Sequence, residues 1–290
     1  MMYTKILVPL DGSRLAEQIL PYACLLAEAF EIPVELLRVN DPAAMTPYAP
    51  PLQGDEYLKE IADWAFPVTL RVHRSVEVAN PTQAILQYAG TDHGTLIAMA
   101  THGLTGIHGW MMGSVAYKVV HATRNPVLLI RPTEEGDPGV AVKLETVLTP
   151  LDGSGLADRI LPHVIALAKK LSLEVTLVRT YTVPPDNYFV GDGLYLDTLA
   201  RERDAFKQEI EDYLAGKTEE IRAAGLSRVS PIAIHGDPAG EIIDCARNTP
   251  NSLIAMSTHG RSGFGRWLMG SVAEKVVQYS RNPVLVIRPE

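Results

Sequence analysis

Two aspartates close short apolar runs of the same type: Asp11 in ILVPLDGS (residues 6–13) and Asp152 in VLTPLDGS (147–154). A glycine-rich stretch is also repeated. Thr101–Pro132 and Thr258–Pro289 align without a gap, with 21 identities in 32 positions. In each copy a glycine (Gly103, Gly260) is followed, after nine residues, by a Gly-Ser pair (Gly113-Ser114, Gly270-Ser271) that opens a helix. The first N–H groups of a helix lack intrahelical partners and its dipole favours negative charge, so such a loop is a place to hold phosphate. An aspartate beside it suits ribose hydroxyls or an adenine amino group. The plainer alternative is that Asp11 and Ser13 shape a turn and that Gly113-Ser114 caps a helix.

For aspartate and loop to meet, the strands carrying them must be neighbours in a sheet. The first copy reads as a strand at Lys5–Pro9, a helix from the Ser13 N-cap to about Phe30, a strand at Val34–Val39 and a helix at about Asp55–Ala65. It continues with a strand near Val68–Val78, a helix from Pro81 through Tyr88, a strand at Thr95–Ala100, a helix at Ser114–Ala122 and a strand at Val127–Ile130. Pro21, matched by Pro162, is expected to kink its helix. Residues 40–54 are proline-rich and predict no regular structure. The second copy repeats every element and carries 16 extra residues in its middle, read as a loop at Val183–Gly193 and a longer helix at about Asp197–Ala224. Strands apolar on both faces and alternating with helices predict an α/β fold: two tandem doubly wound domains, residues 1–136 and 143–290, each a parallel sheet flanked by helices. The linker falls in the polar stretch Thr133–Val142.

Composition narrows the function. The net charge is −8, with −5 in residues 1–136 and −3 in 137–290, and no basic cluster; a nucleic-acid duplex is not the expected partner. No apolar run approaches the length of a membrane span, and the start of the chain shows no signal-peptide pattern. Cys24 and Cys245 lie in non-equivalent helices, so no disulfide is expected and the reducing cytoplasm is the predicted location.

With these residues in hand, the pattern G-x2-G-x9-G-[ST] after a fourth strand, joined to V-P-x-D-x-S after the first, resembles the universal stress protein family. The resemblance covers nearly the whole chain, once per domain. It implies a five-stranded sheet of order 3-2-1-4-5 in each domain, of adenine nucleotide alpha hydrolase-like type. It further implies an ATP pocket, any magnesium arriving as part of the bound nucleotide, and a role as sensor or regulator in stress response. By resemblance the first pocket would use Pro9, Leu10, Asp11, Val39, Met99, Ala100, Gly103, Gly113, Ser114 and Val115. The second would use Pro150, Leu151, Asp152, Thr180, Met256, Ser257, Gly260, Gly270, Ser271 and Val272. The first glycine of the pattern is replaced by Ala100 and Ser257, whose side chains would crowd a nucleotide lying against the backbone. Two other functions stay open: a slow ATPase, and a protein that has lost nucleotide binding and acts through protein contacts.

No Walker-type G-x4-G-K-[ST] occurs, and no nucleophile, base or acidic metal cluster is legible, so no catalytic or metal-binding residue is assigned. His102 and His259 lack partners at triad or metal spacing and read as packed or turn-stabilising imidazoles. Trp110 and Trp267 read as lid or inter-domain packing. Arg261 and Arg266 stand where the first copy has Leu104 and Gly109, within the span that would cover the phosphates, so the second pocket is expected to bind more tightly. Val127–Ile130 and Val284–Ile287, short and apolar, are expected to pair with each other and bury two exposed edges. Because the resemblance implies a dimer through this strand, one chain would form its own pseudo-dimer, leaving room for a further homodimer.

Overall fold

The computed structural model describes residues 2–43, 54–103, 112–182, 193–260 and 269–289, without the side chains of 193–205. The first half runs β1 (Lys5–Leu10), α1 (Arg14–Glu17), α2 (Leu20–Phe30), β2 (Val34–Asn40), α3 (Gly54–Ala65), β3 (Val72–Val78), α4 (Pro81–Gly90), β4 (Thr95–Ala100), α5 (Ser114–Ala122) and β5 (Val127–Ile130). The second half repeats it as β6 (Thr146–Pro150), α6 (Gly155–Asp158), α7 (Leu161–Leu171), β7 (Glu174–Tyr181), α8 (Gly193–Ala223), β8 (Val229–His235), α9 (Pro238–Arg247), β9 (Ser252–Ser257), α10 (Ser271–Tyr279) and β10 (Val284–Ile287). Each half is a parallel sheet of order 3-2-1-4-5, and the halves join into one ten-stranded sheet, β3-β2-β1-β4-β5-β10-β9-β6-β7-β8. β4, β5, β9 and β10 are buried along their whole length, which is why their sequences are apolar without alternation, apart from Thr95, Ser252 and Ser257 at the ends of β4 and β9.

The joint is β5 against β10, the single antiparallel pairing among the described residues, with Leu128 opposite Leu285 and Val127 opposite Val286. The expected edge-to-edge pairing is therefore present within one chain. Arg131 Nη1 donates to the Gln278 carbonyl (3.2 Å), and its repeat counterpart Arg288 Nη1 donates to the His121 carbonyl (3.4 Å), so each half clamps the other's last helix. On the opposite face of the sheet, the wholly buried Tyr3 meets His163 on α7 across the joint, Oη to Nδ1 2.9 Å, with its ring edge-on to Phe30. Both hydrophobic cores run across the joint without a break.

Three local expectations change. The helix expected from Ser13 to Phe30 is broken rather than kinked: α1 stops at Glu17, and α2 starts afresh at Leu20 with Pro21 in its first turn. Proline brings no N–H there, where none is needed. α6 and α7 repeat the break at Pro162. The strand expected near Val68 begins at Val72, because Leu70 N–H turns back onto the Pro67 carbonyl (2.9 Å) and leaves Val68 in solvent. The long helix begins at Gly193, four residues before the expected Asp197. The loop expected at Val183–Gly193 lies outside the described residues except for Gly193, which opens α8.

The linker is tethered at its start. Gln18 donates from Nε2 to the carbonyls of Thr133 (2.7 Å) and Gly136 (3.2 Å) and accepts from Thr133 N–H (3.0 Å). Among the described residues no helix is long and apolar enough to cross a membrane, and Cys24 and Cys245 are unpaired thiols on α2 and α9.

Candidate functional site

β1 lies between β2 and β4, as β6 lies between β7 and β9, so the strand order reverses at the ends of β1 and β6. Ligands of doubly wound sheets bind at such points, beyond the carboxyl ends of the strands. Asp11 sits there and does two things at once. Its Oδ1 accepts from Ser13 N–H (3.0 Å) and Oγ (2.6 Å), while Ser13 Oγ caps α1 by accepting from Ala16 N–H (3.1 Å). Asp152, Ser154 and Ala157 repeat the arrangement at 2.9 and 3.1 Å. The intervening Gly12 and Gly153 adopt φ of +83° and +84°, which side chains of L residues rarely tolerate. The plainer, turn-shaping role is thus real for Oδ1.

Oδ2 carries the other role. It lies against the glycine of the repeated loop: a Cβ on Gly103 would stand 1.8 Å from Asp11 Oδ2, and one on Gly260 2.0 Å from Asp152 Oδ2. The two sequence motifs therefore touch, and glycine is required because the carboxylate occupies the side-chain position. Gly260→Ala should displace Asp152 from a turn that holds it and destabilise the protein by about 1–3 kcal/mol. Gly216→Ala, in the middle of α8 with nothing within 4 Å, should stabilise it by up to about 1 kcal/mol. Denaturant unfolding of the two variants checks the opposite signs; equal shifts would remove the packing argument.

The loop closes on itself where Gly113 N–H donates to the Thr101 carbonyl (2.8 Å) and Gly270 N–H to the Thr258 carbonyl (2.7 Å). Here α5 and α10 begin. Side chains cap α1, α4, α6 and α9 (Ser13, Asn80, Ser154, Asp237). At α5 and α10 the N-cap is glycine, with no side-chain hydrogen bond among the described residues. Their first turns line a cavity, through Ser114 and Val115 in one half and Ser271 and Val272 in the other. An uncapped helix start facing a cavity suits an anion.

All ten residues named for the first pocket line one cavity of about 180 Å³. All ten named for the second line its counterpart, of about 320 Å³. Arg261, Arg266, Trp110 and Trp267 lie outside the described residues. The Ser257 hydroxyl donates to the α6 carbonyls of Leu156 (2.9 Å) and Ala157 (3.3 Å), so its extra atom is engaged with the helix beside the cavity. His102 and His259 each place Nδ1 by the hydroxyl of the preceding threonine, at 3.0 and 2.9 Å.

Other residues were not foreseen. Pro238 and Ile242 from α9, with Pro81 and Ile85 from α4 in the first half, line the cavities from the helix packed beside α10 or α5. The signal available was the proline opening each helix with an isoleucine one turn on. Behind each aspartate lies a duplicated polar stack. Arg38 lies 5.7 Å from the Tyr57 ring centre and Arg179 lies 4.8 Å from that of Tyr213. The tyrosine hydroxyls donate to Glu17 (2.9 Å) and to Asp158. Burial first, then the partner carboxylates, push both phenols well above their ordinary range. Only in the second half does the arginine reach the cavity, where Arg179 and Phe206 join its lining. Among the described residues no group of three histidine, cysteine or acidic side chains is placed to hold a metal ion.

The comparisons with known proteins agree with this geometry. The Universal stress protein family matches the chain twice, over residues 2–131 and 143–288. A universal stress protein of Mycobacterium tuberculosis is 26% identical over 300 residues, covering 98% of this chain and 96% of that one. A shorter one from Methanocaldococcus jannaschii is 30% identical over 142 residues, covering 49% of this chain and 81% of its own length. Among solved structures, a universal stress protein from Archaeoglobus fulgidus superposes with a TM-score of 0.66 at 20% identity, covering 100% of this chain and 98% of that one. With both halves matched and the same fold throughout, the chain is a tandem, two-domain member of the universal stress protein family.

Proposed function

We propose that this protein binds an adenine nucleotide, ATP, without turning it over, and acts as a sensor or regulator in stress response. The observation that carries the reading is the meeting of Asp152 with Gly260 beside the uncapped start of α10, in a cavity of about 320 Å³. That volume lies at the lower end of the range of small-molecule sites. The α10 N-terminus with Gly270 and Ser271 would hold the phosphates, Asp152 the ribose or base, and Met256 and Ile242 the apolar flank. The bound nucleotide would supply charge and shape, and magnesium would ride on its phosphates. The sequence lacks a Walker-type phosphate-loop lysine, which supports binding without turnover.

The first cavity, at about 180 Å³, supports the alternative for its own half: nucleotide binding given up in favour of protein contacts. The second half is then the tighter site, as its extra arginines also suggest. Calorimetric titration with ATP tests this. Ser271→Asp puts a negative charge where phosphate would lie, while an acidic first turn still suits the helix. It should weaken the tighter site at least tenfold and leave the fold intact, and Ser114→Asp should change that site little. Equal affinities in all three proteins, or the larger loss in Ser114→Asp, would refute the assignment.

A further inference from the structure

The second half differs from the first most strongly at α8. Tyr57 and Tyr213 hold the same place in the duplicated arginine stack, so Gly54, the first residue of α3, corresponds to Ile210. α8 begins at Gly193, seventeen residues earlier, which adds about 25 Å of helix. One turn before Ile210, the added part brings Phe206 to the wall of the second cavity. Its ring is held edge-on by Tyr181 (centroids 6.4 Å, 73°), and Tyr181 is braced in turn by His235 (5.4 Å, 65°). The strand registers place Asn40 and Val78 where the second half has Tyr181 and His235, so the first half has no such aromatic brace.

The cavity is bounded from both faces of the sheet. Gly260, Gly270 and Ser271 line the end at the start of α10, with Pro238 and Ile242 of the neighbouring α9 on the same face, and Phe206 of α8 lines the other end from the opposite face. Phosphates at the first end leave the flat, weakly polar part of a nucleotide for the second. We propose that Phe206 is the surface on which the nucleobase stacks, so that base recognition belongs to the second half and was added with the α8 extension. An aromatic ring fixed by its neighbours meets a base face without first giving up rotamer freedom. The inference rests on the nucleotide reading above and adds to it the residue that reads the base.

The test is calorimetric titration of ATP into the full chain carrying Phe206→Ala, Phe206→Leu or Phe206→Tyr, with each repeated in the Ser271→Asp background to identify the site affected. Phe206→Ala and Phe206→Leu should weaken the tighter site roughly tenfold, and Phe206→Tyr should keep its affinity. Leucine fills the space and keeps the core apolar, so it separates stacking from packing and stands in should alanine impair folding. Full affinity in Phe206→Leu, or a loss confined to the site that survives Ser271→Asp, overturns the proposal while leaving nucleotide binding standing. A wild-type chain that takes up no nucleotide overturns both.

Discussion

Leu128→Asp should unfold both halves of the chain together, in one calorimetric transition at a much lower temperature than the wild type. Leu128 and Leu285 face each other across the β5–β10 joint, and each is 2% exposed. A carboxylate there has no partner charge and no route to water, a penalty of several kcal/mol. Truncation to alanine would already cost about 2–5 kcal/mol. Against a total stability of about 5–15 kcal/mol, the charged variant removes most of it. The loss should reach both halves because the core cluster containing Leu128 also holds Leu285, Ile287 and α7 residues of the second half. Two transitions, one of them at the wild-type temperature, would show that the halves fold independently and that the joint is only a contact.

Acidification should weaken the same face of the joint. His163 is pushed down to about 4 by burial, from an ordinary value near 6.5. The unfolded chain therefore takes up a proton at this residue that the folded chain refuses. Stability from this group is complete above about pH 6.5 and falls as the pH drops towards 4, by at most about 3 kcal/mol. The charged imidazole would stand beside Tyr3, whose hydroxyl reaches His163 Nδ1 at 2.9 Å and whose ring is closed off from solvent. Denaturant unfolding at pH 7 and pH 4.5 measures the loss. His163→Gln, which keeps a polar side chain but does not titrate, should remove about one proton from the slope between these values. An unchanged slope in His163→Gln would place the acid sensitivity elsewhere.

Much of this architecture was legible in the residues, for physical reasons. The expected limits of β4 and β5, Thr95–Ala100 and Val127–Ile130, are the observed ones, because strands covered on both faces are apolar at nearly every position, Thr95 at the start of β4 excepted. Val68 misled for the converse reason: an apolar side chain does not make a strand where Pro67 and Leu70 close a turn. Pro21 announced an interruption but not its form, since a kink and a restart remove the same N–H and differ only in packing. The twenty described pocket residues are those the family resemblance implies; most lie in or beside the two repeated motifs, with Val39 and Thr180 on β2 and β7, and the contact between Gly103 and Asp11 explains why both motifs are needed. Pro238, Ile242 and Phe206 were missed because they belong to helices distant in sequence, and only tertiary folding lays them over the crevice. Arg38 and Arg179 stand in VELLRV and VTLVRT, and their stacking on Tyr57 and Tyr213 has no local signature.

The antiparallel joint has a consequence for the placing of the two crevices. Strands within each half are parallel, and the two halves meet head to tail, so their carboxyl ends point to opposite rims of the sheet. The crevices are separated by about 19 Å across the sheet, at about 4.8 Å per strand, and by the length of a strand along it. The screening length at physiological salt is about 8 Å. Charge arriving at one rim would therefore be hidden from the other, and a ligand in one crevice would not hinder entry to the other. On the proposed function, coupling between the halves would travel as movement through the joint: through β5 and β10, through Arg131 and Arg288 on the opposite half's last helix, and through Tyr3 and His163 on the other face.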